Sequence, residues 1–283
     1  MVSICFKSLN KNNIHMLEQY FENVTFSNII YCRRKFSKFY NLIIHYTGTK
    51  KSDFYKFISK LFRKYIIDNY EENILKDQLK LDFFYFSKME QAEIITNLKN
   101  SLIKAQTLNE KTNILENSIQ LYITQNKSCL IDGFINFRIN SYKKYLQDCL
   151  ENEVHTYVVS KEYIEYINVL HEYICESTPK TEQVHLIYSH SEKTLLDKDK
   201  NIITTTNGKK YISDISFSEN DFILNSILSL LPKKIFIHTN LTSDKFIKFL
   251  SSIFADNCVI CSGCNICSNS LKKNNQQTHI PIN

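Results

Sequence analysis

Residues 71–126 contain neither glycine nor proline, the two residues that most often interrupt regular structure. Their polar sequence follows a helical pattern and predicts two or three helices. We place one helix up to about residue 80, one over residues 88–105 and one over residues 109–124. The centre of the chain is therefore expected to be helical, with strand patterns on either side of it.

The sequence before this region predicts a small α/β unit. Residues 2–6 and 39–46 have the short apolar pattern of strands, and residues 13–24 have that of a helix. A second helix is expected to start at Ser52 and Asp53. Its apolar residues recur at steps of three and four and are therefore expected to form one buried stripe, made of Phe54, Phe57, Ile58, Leu61, Phe62 and Tyr65.

The sequence after the central region predicts a second α/β unit. A long helix over residues 140–176 is expected to end before Pro179, because proline cannot donate a backbone hydrogen bond. Strands are expected over residues 184–188, 201–206, 233–238 and 258–261, a hairpin arm at 195–196, and helices over 221–231 and 243–254. Strand, helix and strand over this length predict a parallel, right-handed crossover.

Together these patterns predict an α+β fold with four regions. A basic N-terminal α/β lobe is expected over residues 1–82 and a helical middle region over residues 83–179. A C-terminal α/β lobe with the βαβ crossover, ending in a cysteine loop, is expected over residues 180–267. Residues 268–283 are rich in asparagine and are expected to form a disordered tail.

Positive charge is concentrated near the start of the chain. Residues 1–65 hold 12 Lys or Arg residues against Glu18, Glu22 and Asp53, although the whole chain has a net charge of only +6. Such a surface can bind nucleic acid or another anionic partner, and the residues that would do so are Arg33, Arg34, Lys35, Lys60, Arg63 and Lys64. The alternative is a solvated helix face whose neighbouring aromatic residues form the core.

The sequence favours a protein of the cytosol. It has no uninterrupted apolar run of about 18 residues, so we expect no membrane span. The first residues lack the charged and apolar regions of a signal peptide. In a reducing compartment the 9 cysteines stay mostly as thiols, and clustered thiols indicate a metal before a disulfide. Five scattered cysteines are expected to be small buried residues: Cys5, Cys32, Cys129, Cys149 and Cys175.

The other four cysteines, Cys258, Cys261, Cys264 and Cys267, follow one another at three-residue intervals. Four thiolates can bind one tetrahedral zinc ion or an iron–sulfur cluster. On a regular helix they would not converge, so the chain must turn, as Ser262 and Gly263 allow. The short spacing favours a cluster slightly over zinc. A redox pair, or thiols without a defined role, remain alternatives.

His238 and Arg138 are the two further candidate site residues. His238 ends the strand before the cysteine run, and parallel strands end at one edge of a sheet, so it is expected near the cysteines. Its alternative role is a polar cap on the next turn. Arg138 follows Phe134 and Phe137, and a guanidinium beside rings can stack or bind a carboxylate. We expect a structural clamp between the middle and C-terminal regions, with an anion site as the alternative.

No sequence motif indicates a nucleotide-binding enzyme. The four glycines are far apart, so no glycine-rich loop can surround a phosphate, and neither a nucleophile elbow nor a metalloprotease helix motif is present. The sequence favours a non-enzymatic protein.

Several segments, taken in order, resemble one known family. They are Asp-Gly-Phe-Ile-Asn-Phe-Arg at residues 132–138, Lys-Glu-Tyr at 161–163, Glu-Gln-Val-His at 182–185, Leu-Pro-Lys-Lys-Ile-Phe-Ile-His at 231–238 and Cys-Ser-Gly-Cys at 261–264. In this order they resemble the YtxC-like proteins of spore-forming Firmicutes. Ile139 replaces the family's leucine, and Cys258 extends its terminal cysteine run.

The resemblance covers roughly half of the chain, from about residue 130 to residue 267. It implies a sporulation protein and supplies no catalytic residues. We therefore expect an accessory or regulatory protein that acts through a protein partner. The alternatives are a metal-binding, iron–sulfur or redox-sensing protein that uses the cysteine run, and a nucleic-acid-binding module that uses the basic N-terminal face.

Overall fold

The computed structural model describes residues 1–22, 26–104, 108–190, 192–203, 218–261 and 263–270. The chain forms two compact units, residues 1–158 (unit 1) and residues 159–283 (unit 2). Each unit contains helices and one mixed sheet of four strands, so the predicted α+β fold is confirmed.

Unit 1 begins with the predicted α/β arrangement and continues into helices. Its elements are β1 (Val2–Ser8), α1 (Lys11–Glu22), β2 (Ile29–Phe36), β3 (Phe39–Tyr46), α2 (Lys51–Asp82), α3 (Lys88–Lys104), α4 (Leu108–Gln125), β4 (Ser128–Leu130), α5 (Ile131–Phe137) and the first part of α6 (Asn140–Glu176). The strand order is β2-β3-β1-β4, in which β1 is antiparallel to β3 and parallel to β4.

The predicted apolar stripe of α2 packs in the core of unit 1. Phe54, Ile58, Leu61, Phe62 and Tyr65 are all buried, and Phe57 is half-buried against the same core. Apolar residues of α3 and α4 belong to this core together with those of β1 and β3. The helices expected in a middle region therefore pack in one core with the N-terminal sheet.

Unit 2 contains the second part of α6 and a sheet with three parallel strands. Its further elements are β5 (Thr181–Tyr188), β6 (Lys193–Leu196), α7 (Glu219–Leu230), β7 (Pro232–His238), α8 (Lys245–Phe254), β8 (Cys258–Cys261) and α9 (Asn265–Ser270). The strand order is β6-β5-β7-β8, and β7 is parallel to both β5 and β8. The parallel arrangement predicted for β7, α8 and β8 is thus confirmed.

Local sequence explains where the helices of unit 2 begin. Ser218 and Asp221 form a capping box, in which the Ser218 hydroxyl accepts from the Asp221 amide and the Asp221 carboxylate accepts from the Ser218 amide. The carboxylate of Asp244 accepts from the Phe246 amide and caps α8. The apolar face of α8, including Ile247, Leu250 and Ile253, then packs on β7.

Two predicted segments of unit 2 lie partly outside the described residues. Of the predicted strand over 201–206, Ile202 forms one antiparallel bridge with Leu196, and residues 204–217 are not described. Of the predicted tail, residues up to Ser270 belong to α9, and residues 271–283 are not described. No helix in the described part of the chain has the length and apolar character needed to span a bilayer.

Candidate metal centre

The sheet of unit 2 brings the ends of two strands together. His238 is the last residue of β7 and Cys261 is the last residue of β8, and the two are paired in the parallel register. Parallel strands end at the same edge of a sheet. His238 and Cys261 therefore lie side by side at this edge, where the sequence predicted that His238 would be near the cysteines.

A turn after β8 directs two more thiols to the same edge. Gly263 has a φ of 157°, a conformation that residues with a side chain rarely adopt. The backbone carbonyl of Cys264 then accepts from the amide of Ser268, 2.9 Å away, in the first turn of α9. Cys264 and Cys267 are three residues apart on this turn, so their side chains lie on one side.

At this edge four residues each place one possible ligand atom within 4.8 Å of the other three. The residues are His238, Cys261, Cys264 and Cys267. His238 Nδ1 lies 3.4 Å from the Sγ of Cys264 and 3.4 Å from the Sγ of Cys267. The two Sγ atoms are 3.8 Å apart. A tetrahedral ion bound at about 2.3 Å from each sulfur holds the sulfurs about 3.8 Å apart. We call these four residues the Cys3His cluster.

The acidity of the cluster residues differs with their surroundings. Burial raises the pKa of the Cys264 thiol, but hydrogen bonds from the backbone amides of Cys267 and Ile266 and from Cys261 outweigh it, so the pKa falls below its ordinary value. Burial raises the pKa of the Cys267 thiol to about 11. Burial also lowers the pKa of His238, and the neighbouring His185 lowers it further. The imidazole of His238 is therefore neutral at neutral pH, as a metal ligand must be.

A second histidine contacts the cluster from β5. His185 Nδ1 lies 3.0 Å from His238 Nε2, the ring nitrogen that faces away from the thiols. The ring of Phe236 stacks on His185, with centroids 5.1 Å apart. Sequence reasoning did not select His185 as a site residue. Only the register of β5 against β7, which the sequence does not specify, brings it beside His238.

Cys258 lies apart from the Cys3His cluster. It begins β8, three residues before Cys261, and a strand advances by about 3.3 Å per residue. Its Sγ lies 3.7 Å from the hydroxyl of Ser251 on α8, and burial raises the pKa of its thiol. The regular spacing of the cysteines suggested four equivalent ligands. In the structure three of them converge, and His238 takes the place of Cys258.

Arg138 is exposed at the end of α5. Its guanidinium carbon lies 6.0 Å from the centre of the Tyr122 ring, within unit 1, and its backbone amide donates to the carbonyl of Phe134. Of the two contacts expected for this arginine, a ring or a carboxylate, the structure shows the ring, that of Tyr122. Its role as a clamp between regions stays a prediction.

Four of the six basic candidates have partners inside unit 1. Arg33 forms an ion pair with the buried Glu18, 2.8 Å away, and Arg63 forms one with Glu116. The amino groups of two others lie over rings, namely Lys35 over Tyr40 and Lys64 over Tyr20. Arg34 and Lys60 are exposed.

A cleft between α1 and the β2–β3 hairpin is lined by some of these residues. Its volume is about 560 Å³, and Lys11, Arg33, Arg34 and Lys35 contribute positive charge to its walls. The carboxylate of Glu18 lies in the same cleft and is almost fully buried. A bound anion would therefore meet a negative charge as well as the positive ones.

Comparison with known proteins gives one family and one curated relative. The family model described as YtxC-like matches residues 56–259. The chain is 19% identical over 215 residues to a Bacillus subtilis (strain 168) protein called "Uncharacterized protein YtxC", covering 71% of this chain and 75% of the relative. No solved structure matches the chain.

Proposed function

The chain belongs to the YtxC-like family, and we propose that it is a zinc-binding protein that acts as a non-enzymatic accessory or regulatory protein in sporulation. The zinc ligands are His238, Cys261, Cys264 and Cys267. The observation that carries the proposal is the convergence of these four ligand atoms within 4.8 Å of one another.

Distances within the cluster favour a single zinc ion over an iron–sulfur cluster. The separation of 3.8 Å between the sulfurs of Cys264 and Cys267 equals the edge of a tetrahedron around one ion. In an iron–sulfur cube each thiolate binds a different iron, so the thiolates stand further apart than the ligands of one ion. The donor set of three thiolates and one imidazole is also a common one for structural zinc.

A closed ligand set supports a structural role for the ion. All four positions of a tetrahedral zinc ion would be filled by side chains, whereas a catalytic zinc ion keeps one position for water or substrate. The ligands come from the end of β7, the end of β8 and the first turn of α9. Zinc would thus join β7, β8 and α9. Hydrophobic contacts hold α9 only in part, because Cys267 is its one buried apolar residue among those described.

The proposed role in sporulation rests on family resemblance. The segments that the sequence shares with the YtxC-like proteins of spore-forming bacteria include the strand that carries His238 and the loop that carries Cys261 and Cys264. An accessory protein of this kind acts through a protein partner in the cytosol, which is the compartment where thiols stay reduced.

A redox pair is the second candidate function. Cys264 and Cys267 lie within reach of a disulfide, since their sulfurs are 3.8 Å apart, and the pKa of Cys264 is lowered by hydrogen bonds after burial has raised it. In this alternative no metal is bound, and the two thiols form a disulfide by exchange with a disulfide of another molecule, which takes up the two electrons and two protons and is reduced to two thiols.

Elemental analysis of protein purified without oxygen tests the proposal. We expect about one zinc ion per chain, no iron and no visible absorption band, because zinc is colourless. Acid should release the ion, since protons compete for the thiolates. Brown protein containing iron would establish a cluster instead, and protein without zinc or iron would contradict the metal site and leave the redox pair.

A further inference from the structure

We infer that His185 is a positioning residue for the proposed zinc site: its Nδ1 accepts the Nε2 proton of His238 and so keeps the Nδ1 lone pair of His238 directed at the ion. This inference rests on the proposed function and names a residue outside the ligand set. His185 does not itself bind the metal.

The two nitrogens of the His238 ring face different partners. Nδ1 faces the thiols of Cys264 and Cys267, 3.4 Å from each sulfur. Nε2 faces Nδ1 of His185, at 3.0 Å. The side chain of His238 is almost fully buried, with 3% exposed, so water has little access to replace either partner.

Counting protons fixes the direction of the hydrogen bond between the two histidines. A neutral imidazole carries one N–H, and a metal bound at Nδ1 of His238 requires that N–H to be at Nε2. The Nε2 proton then needs an acceptor, because an unsatisfied buried donor is costly. His185 Nδ1 is the acceptor within hydrogen-bond distance, so the proton of His185 must lie on its own Nε2.

The sheet holds His185 in place for this role. His185 pairs in register with Leu196 of β6 and Phe236 of β7, so its backbone lies inside the sheet. Its ring is stacked with that of Phe236, at an interplanar angle of 19°. A rigid support of this kind fixes the orientation of a ligand, as partners of ligating histidines do in other metal sites.

A neutral acceptor also suits the charge of this ligand set. Three thiolates and one zinc ion together carry a net charge of −1. A carboxylate at position 185 would add a second negative charge beside the buried His238. A histidine that accepts at Nδ1 and holds its one proton on Nε2 is uncharged.

Two substitutions of His185 distinguish the effect of its hydrogen bond to His238 from the effect of its ring shape on zinc binding. His185→Asn keeps an acceptor, because the side-chain oxygen of asparagine can take the place of Nδ1. His185→Phe keeps a ring but removes the acceptor. We expect zinc to bind about 10–100-fold more weakly to the phenylalanine variant, which is the usual cost of losing such a partner. The asparagine variant should stay close to wild type. His155→Phe, at an exposed histidine of unit 1, is the control.

Nitrogen NMR of the His238 ring provides a readout that packing alone would not change. In wild-type protein, with and without zinc, we expect the proton on Nε2 of His238. In the phenylalanine variant without zinc, the ring should become a mixture of both tautomers. A proton on Nδ1 of His238 in the wild-type protein would overturn the inference, even if a variant fails to fold.

The outcomes distinguish this inference from the function on which it rests. If the wild-type chain binds no zinc, both are overturned. If the wild-type chain and His185→Phe bind zinc with equal affinity, the zinc site stands and the role of His185 is overturned. If His185→Phe and His185→Asn both bind zinc more weakly, and to the same extent, the role of His185 is also overturned. Zinc affinity would then depend on the histidine ring itself and not on its hydrogen-bond acceptor.

Discussion

The Cys3His cluster and the basic surface of unit 1 differ in whether their charged or ligating groups already have partners; the basic surface comprises Arg33, Arg34, Lys35, Lys60, Arg63 and Lys64. In the basic surface the charges mostly have partners within the unit, such as Glu18 for Arg33 and Glu116 for Arg63. In the cluster the thiols and the Nδ1 of His238 face one another, with no cationic side chain among them. Most cations of the first set therefore already have a partner in the structure, whereas the donor atoms of the second set converge as the ligands of one metal ion would.

This difference shows why a count of residues is a weak guide to a site. Twelve basic residues near the N-terminus are a strong signal in the sequence, yet ion pairs and ring contacts account for several of them. The cluster uses one histidine and three cysteines that are separated by up to 29 residues. Convergence of donor atoms, and not their number, indicates binding.

Removing one zinc ligand should have the largest effect. We expect Cys264→Ser to abolish zinc binding and to lower the stability of unit 2 by several kcal/mol, because structural zinc contributes folding free energy directly. Zinc content and hydrogen exchange of β7 and β8 measure the two effects. Cys258→Ser is the matched control from the same cysteine run and should retain its zinc.

An equal loss of zinc in Cys258→Ser and Cys264→Ser would contradict the cluster and favour four cysteine ligands. Cys149→Ser, at a half-buried thiol in unit 1, should also retain zinc.

Removing one ion-pair partner in unit 1 should have the next largest effect. The Arg63 side chain is only 24% exposed and that of Glu116 only 11%, so Arg63→Met leaves a carboxylate poorly solvated. We expect a loss of about 2 kcal/mol, seen as faster hydrogen exchange in α2 and α4, with zinc content unchanged. Lys60→Met, on the exposed face of the same helix, should change the stability by less than about 0.5 kcal/mol. Equal effects of the two variants would refute the structural role of Arg63.

Substitution of Arg138 should have a smaller effect. An exposed guanidinium over a tyrosine ring contributes about 0.5–1 kcal/mol, and lysine lacks the planar group that stacks. We expect Arg138→Lys to lower the melting temperature slightly. A double-mutant cycle with Tyr122→Leu should show that the two effects are not additive. An unchanged melting temperature would contradict both a stabilising contact with Tyr122 and the predicted clamp.

Nucleic-acid binding should be the weakest effect. Two of the six candidate residues, Arg33 and Arg63, are engaged in ion pairs and are less available to replace the counterions of a phosphate backbone. We expect weak binding to DNA or RNA that falls steeply with salt and is lost at physiological ionic strength. Arg34→Ala combined with Lys60→Ala should weaken it further and reduce its dependence on salt. Tight binding to DNA or RNA at physiological salt would favour a nucleic-acid-binding function over that of an accessory protein.

The sequence predicted most elements that carry a strong local pattern. The stripe of α2, the order of β7, α8 and β8, and the position of His238 near the cysteines all follow from periodicity and from the geometry of parallel strands. Two strands escaped prediction. The strand β2 (Ile29–Phe36) contains Arg33, Arg34 and Lys35 and pairs with β3 alone, at the edge of the sheet. The strand β4 has only three residues.

The ligand set could be predicted only in part, for a physical reason. Even spacing makes Cys258 equivalent to its neighbours in the sequence, but a strand ending at Cys261 carries Cys258 away from the turn. The short helix α9, which sets Cys267 beside Cys264, was not predicted, and its last three residues fall in the predicted tail. His185 depends on the register between β5 and β7, which no local pattern specifies.

X-ray absorption at the zinc edge tests the central claim most directly, because it measures the ligands of the bound ion. We predict three sulfur atoms at about 2.3 Å and one nitrogen at about 2.0–2.1 Å in the wild-type protein. The nitrogen should disappear from the spectrum of His238→Ala, while Cys258→Ser should give the wild-type spectrum. A first shell of four sulfur atoms, or a wild-type spectrum from His238→Ala, would contradict the proposed Cys3His site.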